Sequence, residues 1–407
     1  MNHNLCKISL SKRYQICLDN IYLFLFGFLF LDAFYRTTMF PQIFVVNQWI
    51  PTLPLLAVIF LKLFFYGREK PFQSALIGVL ALSFLAIYKN TRDINLPIMA
   101  YLVIGAYGVS FRKIISVYTA IGIPMLLFCI VASQTGLIPD LVFDMSSSLR
   151  GFRHSFGFIY PTDFAAHVIY LVLSYSWLRG KKLTWLELAM FAFLGLVINY
   201  FCDTRTSFSC LMLFILFLVR EKLFSSPNCR VISKTNMLIF SATLKFLSAY
   251  SVIFSSLFMI ILTVCYSKSA MLSRIDHIVA GRLSMSNLAI KQYGMKLLGQ
   301  EITMQGNGYS ESSLLEKYFF IDCSYIKMLV CYGLVVSILI WIAYTLLGRR
   351  AIKANDTYLI WALGIIGLHC AMEHHLAEIA YNPFLLALFS QYCKPIEKGL
   401  YNATNSC

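Results

Sequence analysis

Long runs of apolar residues, separated by short polar segments, recur along the whole chain. A helix needs roughly 20 mostly apolar residues to cross a lipid bilayer. Candidate runs lie at 18–35, 43–66, 72–89, 94–110, 114–134, 162–178, 184–202, 206–219, 240–266, 325–347, 358–372 and 379–393. The pattern predicts an all-α, polytopic integral membrane protein, in which about 12 transmembrane helices form a single domain over residues 1–407.

The composition supports this fold class. Hydrophobic residues make up 59% of the chain and charged residues 13%, and the mean hydropathy is +0.70. A soluble protein has about 45–50% apolar and about 25% charged residues, so the composition excludes an ordinary soluble protein. A net charge of +15 would favour a nucleic-acid partner in a soluble chain, but here the basic residues follow the membrane pattern.

The positions of the basic residues predict the orientation of the chain. With the N-terminus inside, the short inner segments hold 19 lysines and arginines, whereas the short outer segments hold six. Lysine and arginine accumulate in the cytoplasmic loops of membrane proteins. The asymmetry therefore predicts that both termini are cytoplasmic, and it explains much of the positive charge without any nucleic acid.

Two predicted outer segments are longer than the others, 135–161 and 267–324. In the second, apolar residues recur at helical spacing: Val279, Leu283, Ile290, Tyr293 and Leu297. This spacing predicts an amphipathic helix that lies on the outer face of the membrane.

Motifs for nucleotides and for sulfur-bound metals are absent from the sequence. Neither GxxxxGK[ST] nor GxGxxG occurs, so chemistry driven by cytoplasmic ATP is not expected. The 12 cysteines form no CxxC pair, and several lie inside apolar runs, which is typical of small buried hydrophobic residues. No cofactor is predicted.

Several polar residues of the predicted outer rim have both a structural and a functional interpretation. Arg150 and Arg153 are either anchors in the lipid head groups or substrate contacts. Asp163 follows a proline and is expected to cap the next helix. Arg205 either pairs locally with Asp203 or binds phosphate, because a guanidinium gives permanently charged, bidentate contacts to phosphate.

The stretch EHHLAE places His374 and Glu378 four residues apart, where both can lie on one helix face. A metal site is not predicted there, because HExxH is absent and no third ligand is evident. A rim cluster that binds substrate, or the proton relay of a transporter, are the two other interpretations. No DxD pair occurs either, so the outer arginines predict a metal-independent site for an anionic, lipid-linked substrate.

Four stretches in order resemble the O-antigen polymerase and ligase superfamily, and most closely its bacterial capsular or exopolysaccharide repeat-unit polymerases. They are SFGFIYPTDFAAH, then DTRTSF, then AGRLSMSNLAIKQYGMKLLGQ with GNGYS and IDCSYIKMLVCYG, and finally HHLAEIAYNPFLLAL. The similarity extends over residues 150–390.

The resemblance implies a membrane glycosyltransferase of GT-C-like architecture in the bacterial cytoplasmic membrane, with an active site that faces outward. It would transfer a growing glycan chain from polyprenyl diphosphate to an incoming lipid-linked repeat unit. A flippase and a chain-length regulator are the implied partners, besides the lipid-linked oligosaccharide and membrane lipid.

The resemblance also implies roles for individual residues. Arg205, Arg282 and Arg153 would bind the diphosphate. Asp322, His154 or His374 would be the general base, and the choice between them stays open. Further substrate contacts are predicted for Arg150, Tyr325 and Glu378.

Two other functions fit the same features. A ligase of the same superfamily would move finished polymer to a different acceptor. A transporter or flippase would move the lipid-linked sugars without forming a bond, and it would be expected to carry charged residues at several mid-helix positions.

Overall fold

The computed structural model describes residues 2–40, 47–67, 78, 83–144, 151–224, 234–306 and 319–391, which form a mainly helical protein. The α-helices are α1 (Asn2–Tyr35), α2 (Trp49–Gly67), α3 (Asn95–Gly105), α4 (Phe111–Gln134), α5 (Pro161–Arg179), α6 (Trp185–Cys202), α7 (Arg205–Phe224), α8 (Lys234–Ala249), α9 (Ser251–Cys265), α10 (Ala270–Ile278), α11 (Arg282–Tyr293), α12 (Ser324–Lys327), α13 (Gly333–Lys353) and α14 (Thr357–His369). A further helical segment covers 83–91. A π-helical turn, Met328–Tyr332, joins α12 to α13.

Several helices are apolar and long enough to cross a membrane. Four pass on length and composition: Tyr14–Tyr35, Phe111–Gln134, Trp185–Cys202 and Ser324–Lys353. α8 and α9 together are also long and apolar enough, but the chain bends by 67° at their junction. If this bent pair counts as one span, the described residues contain up to five. The prediction of a mainly helical chain is confirmed, and several of its helices are long and apolar enough to span a membrane. The predicted run at 72–89 lies mostly outside the described residues.

The last predicted span, 379–393, is wrong as far as the structure describes it. Residues 370–391 contain no α-helix and only one 3₁₀-helix, Phe384–Leu388. Core side chains satisfy the backbone of this segment instead of a helical ladder: Tyr118 donates to the carbonyl of Tyr381 at 2.5 Å, and Asn382 donates to that of Leu376 at 2.8 Å. Buried backbone groups need such partners, so the apolar residues here fill the core in an irregular conformation.

The predicted amphipathic helix is shorter than its apolar spacing indicated. α11 begins after Gly281, whose φ is +80°, and ends before Gly294, whose φ is +67°, so Val279 and Leu297 fall outside it. Positive φ is accessible to glycine at little cost, and it ends helices. α11 packs against α9, where Asn287 donates to the carbonyl of Thr263 at 2.7 Å. It is therefore anchored to the helical bundle.

A small hairpin departs from the all-α prediction. β1 (Val142–Asp144) and β2 (Phe152–His154) pair antiparallel within the predicted outer segment 135–161. Asp140 stabilises the backbone directly after β2, because its carboxylate accepts hydrogen bonds from the backbone N–H groups of Ser155 at 3.0 Å and Phe156 at 2.7 Å. The hairpin thus leads directly into α5.

α5 is the central helix. Nearly all of its side chains are buried, and it packs against α4, α6, α7 and α14. A helix buried on all sides lies in the core of its protein. The polar residues at its N-terminal end are consequently held inside the protein, at the end where the hairpin and the α6–α7 turn also lie.

Candidate functional site

A cavity of about 520 Å³ opens at this end of the bundle. The hairpin, the start of α5, the α6–α7 turn, the start of α11 and the segments 319–323 and 370–374 all contribute to its wall. Among the lining residues are five predicted site residues: Arg153, Arg205, Arg282, Asp322 and His374. They come from five separate parts of the sequence, and the tertiary structure brings them to one place.

Arg205 lies at the first position of α7, directly after a tight turn. Asp203 closes α6 in the left-handed conformation, with φ +44°, and its carboxylate accepts a hydrogen bond from Arg205 Nε at 3.3 Å. The local Asp203–Arg205 pair is therefore confirmed. The Arg205 side chain remains 62% exposed, and it lines the cavity.

Arg153 connects the hairpin to the same turn. Its Nε donates to the carbonyl of Cys202, the last residue of α6, at 2.8 Å. A cation at the C-terminus of a helix is favourable, because the unsatisfied carbonyl groups there carry partial negative charge. The contact holds Arg153 at the cavity wall beside Arg205.

Arg282 is the first residue of α11 and is surrounded by acceptors. Its Nε donates to the carbonyl of Met372 at 2.7 Å, and its Nη2 donates to Glu373 Oε1 at 2.9 Å. Asp322 Oδ2 lies 3.9 Å from Nε. The side chain of Glu373 is only 3% exposed and that of Arg282 16%. Arg282 therefore forms a buried ion pair that joins α11 to the segment after α14.

Asp322 is better suited than His374 to act as the general base. Burial at the cavity wall raises its pKa to about 6, although the nearby Arg282 guanidinium opposes the rise. Burial instead lowers the pKa of His374 well below its usual range, so this imidazole is a weak base. A general base works best when its pKa is close to the operating pH. The carboxylate of Asp322 meets that condition.

The remaining predicted residues that the structure describes lie away from the cavity wall. His154 pairs with Asp140 at 2.7 Å and is not among the lining residues. Tyr325 is buried, and its hydroxyl donates to the carbonyl of Gly367 at 2.7 Å. Glu378 pairs with Lys327 at 2.8 Å behind the wall. Arg150 lies outside the described residues.

The interpretation of Asp163 as a helix cap is wrong. Tyr160 occupies the capping position of α5 without a side-chain hydrogen bond, and Pro161 begins the helix. The buried Asp163 carboxylate accepts a hydrogen bond from Tyr381 at 2.9 Å and lies close to His374 and His375. This grouping was not predicted, because more than 200 residues separate its members in sequence and only the adjacent histidines gave a local signal.

Comparison of the chain with protein-family models, curated proteins and solved structures finds no match in any of the three.

Proposed function

We propose that this protein is a glycosyltransferase of the bacterial cytoplasmic membrane, which polymerises lipid-linked oligosaccharide repeat units into a capsular, extracellular or O-antigen polysaccharide. The observation that carries the proposal is the convergence of Arg153, Arg205, Arg282 and Asp322 on one cavity. The proposal includes the outward-facing active site, the GT-C-like arrangement of about 12 helices and the cytoplasmic termini expected from the sequence.

The reaction needs a base and a site for a doubly charged leaving group. A hydroxyl of the incoming repeat unit attacks the anomeric carbon of the growing chain, and the new glycosidic C–O bond forms. The bond between that carbon and the diphosphate oxygen breaks, and polyprenyl diphosphate leaves with the electron pair. The hydroxyl proton passes to the carboxylate of Asp322, which lines the cavity.

The arginines stabilise the leaving group. Negative charge develops on the diphosphate as the bond breaks, and preorganised cations lower the barrier most when they lie where that charge appears. Guanidinium groups suit the task because they bind phosphate oxygens through charge-assisted, bidentate hydrogen bonds. In this proposal Arg205 and Arg153 contact the diphosphate directly, and Arg282 keeps α11 and the Asp322 segment in place.

The cavity has a suitable size for this role. Its volume of about 520 Å³ falls within the range of about 300–1,000 Å³ typical of small-molecule sites. It holds the reacting ends of the two substrates, while the polyprenyl tails stay in the lipid around the apolar helices.

Reconstitution tests the proposal. The protein is purified, placed in liposomes without an ion gradient, and given repeat units that are linked to polyprenyl diphosphate and extracted from the host lacking this gene. We expect a ladder of polymer still attached to the lipid carrier, and no ladder with Asp322→Asn. Glu301→Gln, which removes an exposed carboxylate outside the cavity, is the matched control and should retain the ladder.

Two results would overturn the polymerase assignment. Transfer of preformed polymer to a different added acceptor, with no ladder, identifies a ligase. Movement of the lipid-linked unit across the bilayer without any new glycosidic bond identifies a flippase.

A further inference from the structure

Two histidines and one aspartate form a compact group behind the cavity wall. One nitrogen each of His374 and His375 and one carboxylate oxygen of Asp163 lie within 4.8 Å of one another. Asp163 and His375 are buried, and His374 lines the cavity. The group is therefore enclosed by protein on one side and reachable from the cavity on the other.

Three of the four imidazole nitrogens of this group are buried without a hydrogen-bond partner among the residues that the structure describes. Neither ring nitrogen of His375 has one, although its side chain is 0% exposed, and buried Nδ1 of His374 has none either. Glu378 Oε2 is close, at 3.7 Å from His374 Nε2 and 3.8 Å from His375 Nδ1, but both distances exceed a hydrogen bond. Buried polar nitrogens of this kind normally have a partner.

Carboxyl groups outnumber cations in the surroundings of the two histidines. Asp163, Asp322, Glu373 and Glu378 lie around the two histidines, whereas the cations in direct contact with these acids are Lys327 and Arg282. Buried carboxylates without matching cations are costly. A bound dication would offset the excess.

We propose that Asp163, His374 and His375 bind a divalent transition-metal ion of the Zn²⁺ class. Imidazole nitrogens favour Zn²⁺, Fe²⁺, Ni²⁺ or Cu²⁺ over Mg²⁺ or Ca²⁺, and three protein ligands leave an open coordination position. Tetrahedral ligation at bond lengths of about 2.0–2.1 Å requires ligand atoms about 3.3 Å apart. The ligand atoms now lie within 4.8 Å of one another, so metal binding would draw them closer together by up to about 1.5 Å.

A neighbouring contact supports the ligand geometry. The Tyr381 hydroxyl donates to Asp163 Oδ1 at 2.9 Å. The Tyr381 ring lies against that of His375, with ring centroids 3.8 Å apart and the two planes tilted by 36°. Partners of this kind orient metal ligands in many sites. A metal bound here would differ from the metal-independent chemistry expected from the sequence, because it would supply a Lewis acid next to the cavity wall where His374 is found.

The metal site stands apart from the transferase proposal, so its test does not need activity. The full-length protein is purified in detergent without chelators, and its metal content is measured by mass spectrometry. It is then stripped with a chelator and titrated with Co²⁺, whose visible absorption bands report tetrahedral nitrogen and oxygen ligation. We expect one equivalent of metal per chain, and a Co²⁺ affinity at least about 100-fold weaker in His374→Gln and Asp163→Asn. His277→Gln, which changes an exposed histidine on α10, is the matched control and should bind like wild type.

Substitution of buried residues can also unfold the protein, so a measurement on the wild type completes the test. X-ray absorption of the Zn²⁺-loaded protein should show two imidazoles and oxygen in the nearest shell, without sulfur. Sulfur ligation, absence of imidazole, or equal metal affinity of His277→Gln and a folded His374→Gln would overturn the inference. A polymer ladder that persists after complete removal of metal would leave the transferase intact and refute only a catalytic role for the ion.

Discussion

The two walls of the cavity hold their arginines in different ways. On the wall formed by the hairpin and the α6–α7 turn, Arg205 is 62% exposed and its Nε is 3.3 Å from the local carboxylate of Asp203. On the wall formed by α11 and the segments 319–323 and 370–374, called the packed wall below, Arg282 is 16% exposed and its guanidinium donates to acceptors from two segments. An exposed cation is available for a ligand, whereas a buried, paired cation stabilises the structure that contains it. The same residue type therefore lies in two different environments around one cavity.

Substitution of Asp322, the proposed base on the packed wall, should have the largest effect on the rate of polymerisation. We expect Asp322→Asn to lower the rate of polymerisation by about 10²–10⁴-fold, because a positioned general base contributes about that much. Initial rates with purified lipid-linked units measure the effect. A melting temperature within a few degrees of wild type shows that folding is retained, and a loss below tenfold would contradict the role of Asp322.

Removal of the buried arginine should affect both stability and activity. Arg282→Ala leaves the Glu373 carboxylate, 3% exposed, without its closest cation, and breaking a buried pair costs about 3–5 kcal/mol. We expect a clear drop in melting temperature, measured in detergent. Combining Arg282→Met with Glu373→Gln removes both charges and should restore much of the stability without restoring the rate. No rescue would mean that the pair is not what stabilises this wall.

Removal of the exposed arginine should affect activity alone. Arg205→Ala deletes a charge-assisted contact to phosphate worth about 1.5–3 kcal/mol, which corresponds to a rate loss of about 10–150-fold. The melting temperature should stay near that of wild type, because the side chain is 62% exposed. Arg205→Lys keeps the charge without the bidentate geometry, and it should lie between wild type and Arg205→Ala. Equal loss of stability in Arg205→Ala and Arg282→Ala would abolish the contrast between the two walls.

The pH dependence of the rate should follow the ionisation of Asp322 on the packed wall. Burial raises the pKa of Asp322 to about 6, and the charged or titratable groups around it are Arg282, Glu373, His375 and Lys327. The basic form is present above about pH 6 and is lost as the pH falls through that value, so the rate should drop about fivefold between pH 6 and pH 5. A flat profile down to pH 5 would exclude this carboxylate as the base.

The smallest change is expected for the histidine of the hairpin. His154 forms a half-exposed pair with Asp140 at 2.7 Å and does not line the cavity. Exposed ion pairs contribute about 0–1 kcal/mol. His154→Gln should therefore change the rate by less than about threefold and the melting temperature by no more than a few degrees. A loss as large as that of Asp322→Asn would make His154 the base after all.

Much of the local structure could be predicted from the sequence. The apolar runs at 114–134 and 184–202 correspond closely to α4 and α6, because a long apolar run has no better conformation in lipid than a helix with its backbone bonds satisfied internally. The Asp203–Arg205 pair could be predicted equally well, since both residues lie in one tight turn. The run at 379–393 was misassigned because hydropathy records burial and cannot distinguish a membrane helix from a packed irregular segment.

The sequence by itself determined the class of the protein, the positions of most helices and the chemistry present at one rim, because composition and periodicity are local properties. Only the tertiary structure decided which rim residues meet. It brought Arg153, Arg205, Arg282, Asp322 and His374 to one cavity, moved Tyr325 and Glu378 behind its wall, and joined Asp163 to His374 and His375. Such contacts depend on how helices pack against one another, and no local pattern in the sequence records that packing.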